Sequence, residues 1–382
     1  MNSNPAIVCV VGARPNFMKI APVIAALKAS VPPFQTRLVH TGQHYDAAMN
    51  DQHFAALGLS APDINLEVGS ASHAVQTAEV MRRFEPVLDS QRADAVLVVG
   101  DVNSSLACAL VAVKKQIPVI HVEAGLRSFD RAMPEEVNRL LTDQISDLLF
   151  TTERSARDNL LREGIAAERI HFVGNVMIDT LHQSLKRAVP AVTTLTSVQA
   201  PQIFFDSCGF GVITLHRPSN VDNPQTLRRI LDALAQIARE LPVVFPVHPR
   251  TAGRIEDFNL RGLFSDVPVL IIPPLDYLAM LGLMKEARIV LTDSGGMQEE
   301  TTALGVPCIT LRENTERPIT ADEGTNTVAG SDYKRILEVF EDVMRTGGKV
   351  GRVPEYWDGK AATRIAKVMH DWFMAGTERK SA

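Results

Sequence analysis

Short apolar runs rich in β-branched residues alternate with longer amphipathic stretches from one end of the chain to the other. That rhythm is the signature of βαβ units, which feed parallel strands into a sheet covered by helices on both faces. In the first half, strands are expected at residues 6–11, 36–41, 95–99, 119–122, 148–151 and 170–173. A helix follows the first strand over residues 17–29, where Ile20, Val23, Ile24 and Leu27 form one stripe.

The pattern breaks at residues 188–207, where two prolines and little periodicity read as a linker or surface excursion. It restarts with strands at 211–215, 243–247, 269–272, 289–292 and 308–311. The expected architecture is therefore α/β, with two doubly wound, Rossmann-like domains. The first covers 1–185 and is rejoined by a C-terminal helix at about 358–382, and the second covers 186–357. In open α/β sheets ligands bind at the carboxyl ends of the strands. Two facing sheets would set those loops across one cleft, and the polar motifs do fall on strand-to-helix loops.

Composition narrows the classes of partner. The 382 residues carry 39 basic and 44 acidic side chains, a net charge of −5, with no block of one sign. A nucleic-acid footprint needs clustered Lys and Arg, so none is expected. The longest apolar runs reach eight residues, as at 106–113, against the ~18–20 of a membrane span. No membrane insertion is expected. The apolar run at the N-terminus is cut by Arg14 and Pro15 and reads as a core strand, not a signal peptide. Cys9, Cys108, Cys208 and Cys308 lie far apart in apolar surroundings, which suits buried thiols in a reducing cytoplasm.

The chain has no G-x-G-x-x-G, no G-x-x-x-x-G-K-[ST], no G-x-S-x-G and no H-E-x-x-H. Dinucleotide binding, P-loop hydrolysis, hydrolase elbows and zincin chemistry lose support. No cofactor and no metal is expected.

Two strand-to-helix turns could receive an anion. Gly12 to Lys19 opens a helix at Pro15 with Arg14 and Lys19 flanking its positive end, though a plain turn with solvated charges would look the same. Ser294-Gly295-Gly296 leaves amides uncovered at another helix start, with Glu299 and Glu300 near enough for ribose hydroxyls. The alternative is a cap made by Asp293 or Ser294.

Acids gather at strand ends of the first half: Asp101 after Gly100, Glu123 before Ala124-Gly125, and Glu135-Glu136 after Pro134. Carboxylates that converge raise one another's pKa and serve as proton donors and acceptors. Glu123 is the sharpest candidate, since an acid between a buried strand and a glycine has few structural excuses. An N-cap would equally explain Asp101, and a first-turn dipole partner would explain Glu135 and Glu136. His216-Arg217 ends the first strand of the second half, His248 and Arg250 repeat that pattern one unit later, and Arg317 offers a further cation.

Eight segments in order, GARPNFMKIAPV, TGQHYD, HVEAGLRS, MPEEVNR, TLHRPSNVD, PVHPR, LTDSGGMQEE and TERPIT, closely resemble the non-hydrolysing UDP-N-acetylglucosamine 2-epimerases over residues 10–330. The resemblance implies a GT-B-type fold, a UDP-sugar substrate with the nucleotide on the second domain, and a homodimer. It assigns catalysis to Asp101, Glu123, Glu135 and His216. It assigns nucleotide contacts to Arg14, Lys19, Ser294, Gly295, Gly296, Glu300 and Arg317, with the uracil over residues 274–280, between Leu275 and Met280.

The implied chemistry explains why such residues are needed. No carbonyl acidifies the hydrogen on carbon 2 of the sugar, so direct deprotonation is prohibitive. Departure of UDP from the neighbouring anomeric carbon creates oxocarbenium character that acidifies it, giving 2-acetamidoglucal and UDP. Re-addition, with a proton delivered to the opposite face, inverts carbon 2, and cations with the Ser294–Gly296 amides would stabilise the departing diphosphate. A GT-B glycosyltransferase, a silent UDP-sugar sensor and an epimerase for a 2,3-diacetamido uronate are the competing readings. The three acids favour proton transfer over glycosyl transfer, and their presence with His216 argues against a sensor.

Overall fold

The computed structural model describes residues 4–43, 59–206 and 209–381, the side chains of Arg14 and of residues 376–381 excepted. His44, Tyr45 and Asp46 of the TGQHYD motif and Cys208 lie outside the described residues.

The described chain forms two parallel sheets, the α/β class expected of a GT-B-type chain. The first contains β1 (Ala6–Val11), β2 (Gln35–His40), β3 (Ile64–Asn65), β4 (Ala95–Val99), β5 (Val119–Ala124), β6 (Leu148–Thr151) and β7 (Ile170–Phe172). Their order is β3-β2-β1-β4-β5-β6-β7. The second contains β8 (Gly211–Thr214), β9 (Val243–Pro246), β10 (Val269–Ile272), β11 (Ile289–Thr292), β12 (Cys308–Thr310) and β13 (Asn326–Val328), in the order β10-β9-β8-β11-β12-β13. Winding reverses between β1 and β4 in one sheet and between β8 and β11 in the other. Such reversals are where ligands settle in open α/β sheets.

Every residue of β1 and β4 is buried, because helices cover both faces. Alternation along β1 divides its side chains. Ile7, Cys9 and Val11 join Phe17, Ile20, Val23 and Leu27, while Val8 and Val10 join Val80, Phe84 and Ala107. In the second sheet Ile213, Phe245, Leu291 and Ile309 pack under the helices Pro224–Ala238 and Tyr333–Thr346. Each such side chain contributes roughly 1.5–3 kcal/mol.

Contacts divide the chain into a unit of residues 1–182 with 355–382 and a unit of residues 183–354. The helix Ala361–Ser381 belongs to the first, placing Ala361, Ile365 and Met369 against Ile20 and Val23 of the helix Arg14–Ala29. Among the described residues, no helix is long and apolar enough to cross a membrane.

The stretch at 188–207 corrects the expected linker. A helix forms over Ala191–Ser197 and a 3-10 turn over Gln202–Phe205. Ala191, Thr194 and Leu195 are its buried face, and packing supplies what the β-branched run AVTTLTS lacks in propensity.

Candidate active site

In the first unit, Asp101 and Glu123 stand at the carboxyl ends of β4 and β5, and Glu135 stands in the first turn of the helix Pro134–Ile145. Glu123 is buried near the end of β5, with its backbone in the left-handed region at φ 72°. Pairing with β6 shifts register between Val122 and Ala124, so a bulge re-aims the Glu123 side chain. The Lys19 ammonium is ion-paired to its carboxylate, with 9% and 4% of the two side chains exposed. Stripping either partner of such a buried pair is costly.

The turn after β1 is occupied from within. Asn16 Oδ1 accepts from the amides of Gly12 at 3.4 Å and Ala13 at 2.9 Å, and its Nδ2 donates to Val99 O at 2.9 Å. The amides of Gly12 and Ala13 are thus taken, and Lys19 turns to Glu123. A Cβ on Gly12 would meet Ser104 Oγ at 2.2 Å, so this glycine admits the neighbouring helix Asn103–Lys114. Of Arg14 only the backbone is described, at the helix start.

Asp101 is no helix cap, since Val102 occupies that position. Its carboxylate accepts from Arg139 Nη1 at 2.8 Å, and its carbonyl accepts from Asn138 at 2.9 Å. Of the adjacent pair Glu135-Glu136, Glu136 is buried and holds the amides of Ser128 and Phe129 and the Arg139 guanidinium. Glu135 is half-buried, and no hydrogen bond or ion pair engages it among the described residues. The two acids divide into a loop anchor and a candidate proton carrier.

In the second unit, β8 and β11 end side by side. His216 Nδ1 lies 2.9 Å from Asp293 Oδ1, and Asp293 Oδ2 accepts from the amides of His216 at 3.0 Å and Arg217 at 2.9 Å. Burial alone would raise the Asp293 carboxyl, but the hydrogen bond and charge of His216 outweigh it and hold Asp293 below the usual range. The His216 side chain is 40% exposed, so the ring is anchored on one edge and open on the other.

The helix Gly295–Leu304 begins here without a side-chain cap, against the capping alternative for Asp293 or Ser294. Its first-turn amides have no carbonyl of their own helix to bond, and its dipole favours an anion. Around it lies a cationic set with buried counter-charges. Arg317 pairs with Glu299 at 2.7 Å, and Glu316 pairs with Arg312 at 2.8 Å and Arg217 at 3.4 Å. Burial would raise Glu316, yet the three arginines bring it down to about 2.

Further along the same helix, Glu300 accepts from the Tyr277 hydroxyl at 2.9 Å. Burial pushes its carboxyl up to about 7, against that hydrogen bond and with help from Glu299. Burial also raises the Tyr277 hydroxyl. Leu275 and Met280 lie on either side of Asp276, which caps the helix Tyr277–Glu286. His248 spends Nδ1 on the Arg250 amide, and Arg250 pairs with Asp222 at the surface, so both serve local structure.

Asn16, Arg139 and Asp293 were not singled out as site residues by sequence. Asn16 and Arg139 lay inside quoted motifs, and Asp293 stood where a cap would. Only its place beside the end of β8 marks its role.

The family profile described as UDP-N-acetylglucosamine 2-epimerase matches residues 26–370. A UDP-N-acetylglucosamine 2-epimerase of Methanococcus maripaludis is 43% identical over 88% of this chain and 91% of its own. A UDP-2,3-diacetamido-2,3-dideoxy-D-glucuronate 2-epimerase of Pseudomonas aeruginosa is 39% identical over 95% and 99%. The crystal structure of the Methanocaldococcus jannaschii UDP-GlcNAc 2-epimerase with UDP-GlcNAc and UDP superposes with a TM-score of 0.86, at 40% identity, over 96% of this chain and 99% of that one.

Proposed function

Because this chain belongs to the UDP-N-acetylglucosamine 2-epimerase family, we propose that it interconverts UDP-N-acetylglucosamine and UDP-N-acetylmannosamine by inverting carbon 2. Glu123 carries the reading: a buried carboxylate, aimed by a bulge and held by Lys19 at the end of β5. Such a group suits a base that removes the carbon 2 hydrogen as UDP departs.

Asp101 and Glu135 are the proposed partners in proton transfer. Asp101 is fixed by Arg139, while Glu135 is left uncommitted by its neighbours. In the second unit, the open edge of His216, the amides of Ser294, Gly295 and Gly296, and Arg317 are proposed to hold the diphosphate and stabilise its growing charge. Glu300 would accept from ribose hydroxyls, and Leu275 and Met280 would flank the uracil. Arg14 is proposed as a further diphosphate cation, and Lys19 contributes through Glu123.

The similarity to the Pseudomonas aeruginosa enzyme supports one second reading, a 2,3-diacetamido uronate on the same nucleotide. A homodimer is supported by Phe129, Val137 and Leu141, exposed apolar side chains that include one turn of the helix Pro134–Ile145. A cytoplasmic location is supported by the buried free thiols of Cys9, Cys108 and Cys308.

Incubation with UDP-N-acetylglucosamine in deuterium oxide, followed by NMR, tests the reading. Deuterium at carbon 2 together with UDP-N-acetylmannosamine is expected. Free N-acetylmannosamine would mean hydrolysis, and an inert carbon 2 would rule the reaction out for this sugar. Running the uronate donor in parallel separates the second reading.

A further inference from the structure

Beneath Glu123 lies a buried polar assembly that no role above uses. His121 sits on β5 two residues before Glu123 and is fully buried. Its Nδ1 lies 2.7 Å from Asp143 Oδ1, and its Nε2 lies 3.0 Å from the Gly100 carbonyl. Asp143 Oδ2 accepts from the Gly125 amide at 3.0 Å and from Arg127 at 2.7 Å. Arg127 also pairs with Glu163 at 2.6 Å.

Asp143 therefore grips the chain two residues before and two residues after Glu123. That bracket spans the bulge, where a non-glycine residue at φ 72° is strained and persists only if its surroundings over-determine it. His121 extends the grip to the next strand. The Gly100 amide donates to Val122 O at 3.0 Å, so both sides of the Gly100 residue are tied to β5 just ahead of Asp101. A Cβ on Gly100 would stand 3.0 Å from both Glu123 Oε2 and Lys19 Nζ, which shows how closely this turn meets the ion pair.

Resting on the assignment of Glu123 and Asp101 to proton transfer, we infer that Asp143 and His121 are positioning residues that lock these two carboxylates in register. Both ring nitrogens of His121 face oxygens, so the ring bridges Asp143 and the Gly100 carbonyl. Burial would raise Asp143, but His121 and Arg127 keep it below the usual carboxylate range, in keeping with the acceptor role. Neither residue needs to touch the sugar. A displacement of about 1 Å at a reacting group is enough to cost ~100-fold in rate.

The test uses the full-length enzyme with UDP-N-acetylglucosamine. Asp143→Ala is expected to lower kcat by about 100-fold while KM and the Kd for UDP stay within about threefold, the pattern of a lost transition-state interaction. Asp143→Asn is expected to recover most of kcat, since its carbonyl accepts from Gly125 and its amide can donate to His121 Nδ1 once the single ring proton sits on Nε2, where the Gly100 carbonyl accepts it. Unchanged kcat in a folded Ala variant, a rise in KM alone, or equal losses in Ala and Asn would each overturn the inference. If the Ala variant does not fold, 15N NMR of the wild-type His121 ring decides. A proton on Nδ1, facing the Asp143 carboxylate, is expected, and a bare Nδ1 would overturn the bridge. A wild-type enzyme that fails to exchange carbon 2 would instead remove the proposed reaction, and the NMR result would stand apart from it.

Discussion

His216 Nδ1 and Asp293 Oδ1 lie 2.9 Å apart, and the same carboxylate takes the backbone amides of His216 and Arg217. One buried acid thus orients a ring and the loop that carries it. Asp293→Ala should lower kcat/KM by roughly 100-fold or more, as loss of an orienting acid does elsewhere. It should also cost about 1–3 kcal/mol in stability, because two amides lose their acceptor. Steady-state kinetics and urea denaturation check both, and an active, equally stable variant would refute the role.

Lys19 and Glu123 predict a stability cycle. Lys19→Met leaves a buried carboxylate without its ammonium and should destabilise by about 3–5 kcal/mol. Lys19→Met with Glu123→Gln should regain much of that loss. Glu123→Gln alone should abolish deuterium exchange at carbon 2 while UDP affinity stays within a few fold. A double variant no more stable than Lys19→Met would show that the pair is not coupled.

Glu300 makes stability depend on pH. Its folded pKa, about 7, lies above the ordinary value of 4.5, so the folded state binds more protons between those values. Stability from this group is fully present below about 4.5 and is lost as pH rises towards and through about 7. Thermal melts of wild type and Glu300→Gln across that window should diverge, with only the wild type losing this contribution. Parallel curves would contradict the assignment.

Gly125 meets two constraints at once. It adopts φ 80°, and a Cβ there would lie 2.4 Å from the Ala156 carbonyl oxygen. Gly125→Ala combines backbone strain with overpacking and should cost roughly 2–5 kcal/mol. Guanidinium denaturation measures it. A loss under ~1 kcal/mol, within the range of a mild shape change, would show that the backbone yields at this point.

The strands best read from sequence are those buried on both faces. The runs at 95–99 and 289–292 match β4 and β11 end to end, since unbroken β-branched stretches have no other good packing. β3 and β13 are edge strands of two and three residues, too short for any periodicity, and pairing with β2 and β12 alone defines them. The candidate site divides similarly. Glu123 was visible because an acid between a buried strand and a glycine is anomalous. Asp143 and Asp293 were not, because each looks ordinary in its own segment and becomes distinctive only through a partner 22 or 77 residues away.

The helix Ala361–Ser381 packs on the helix that follows β1. During synthesis, residues 183–354 can emerge whole while the first unit still lacks that last piece. The part made first is the part completed last, so a chain truncated at residue 355 should leave the helix Arg14–Ala29 open to protease while residues 183–354 stay resistant.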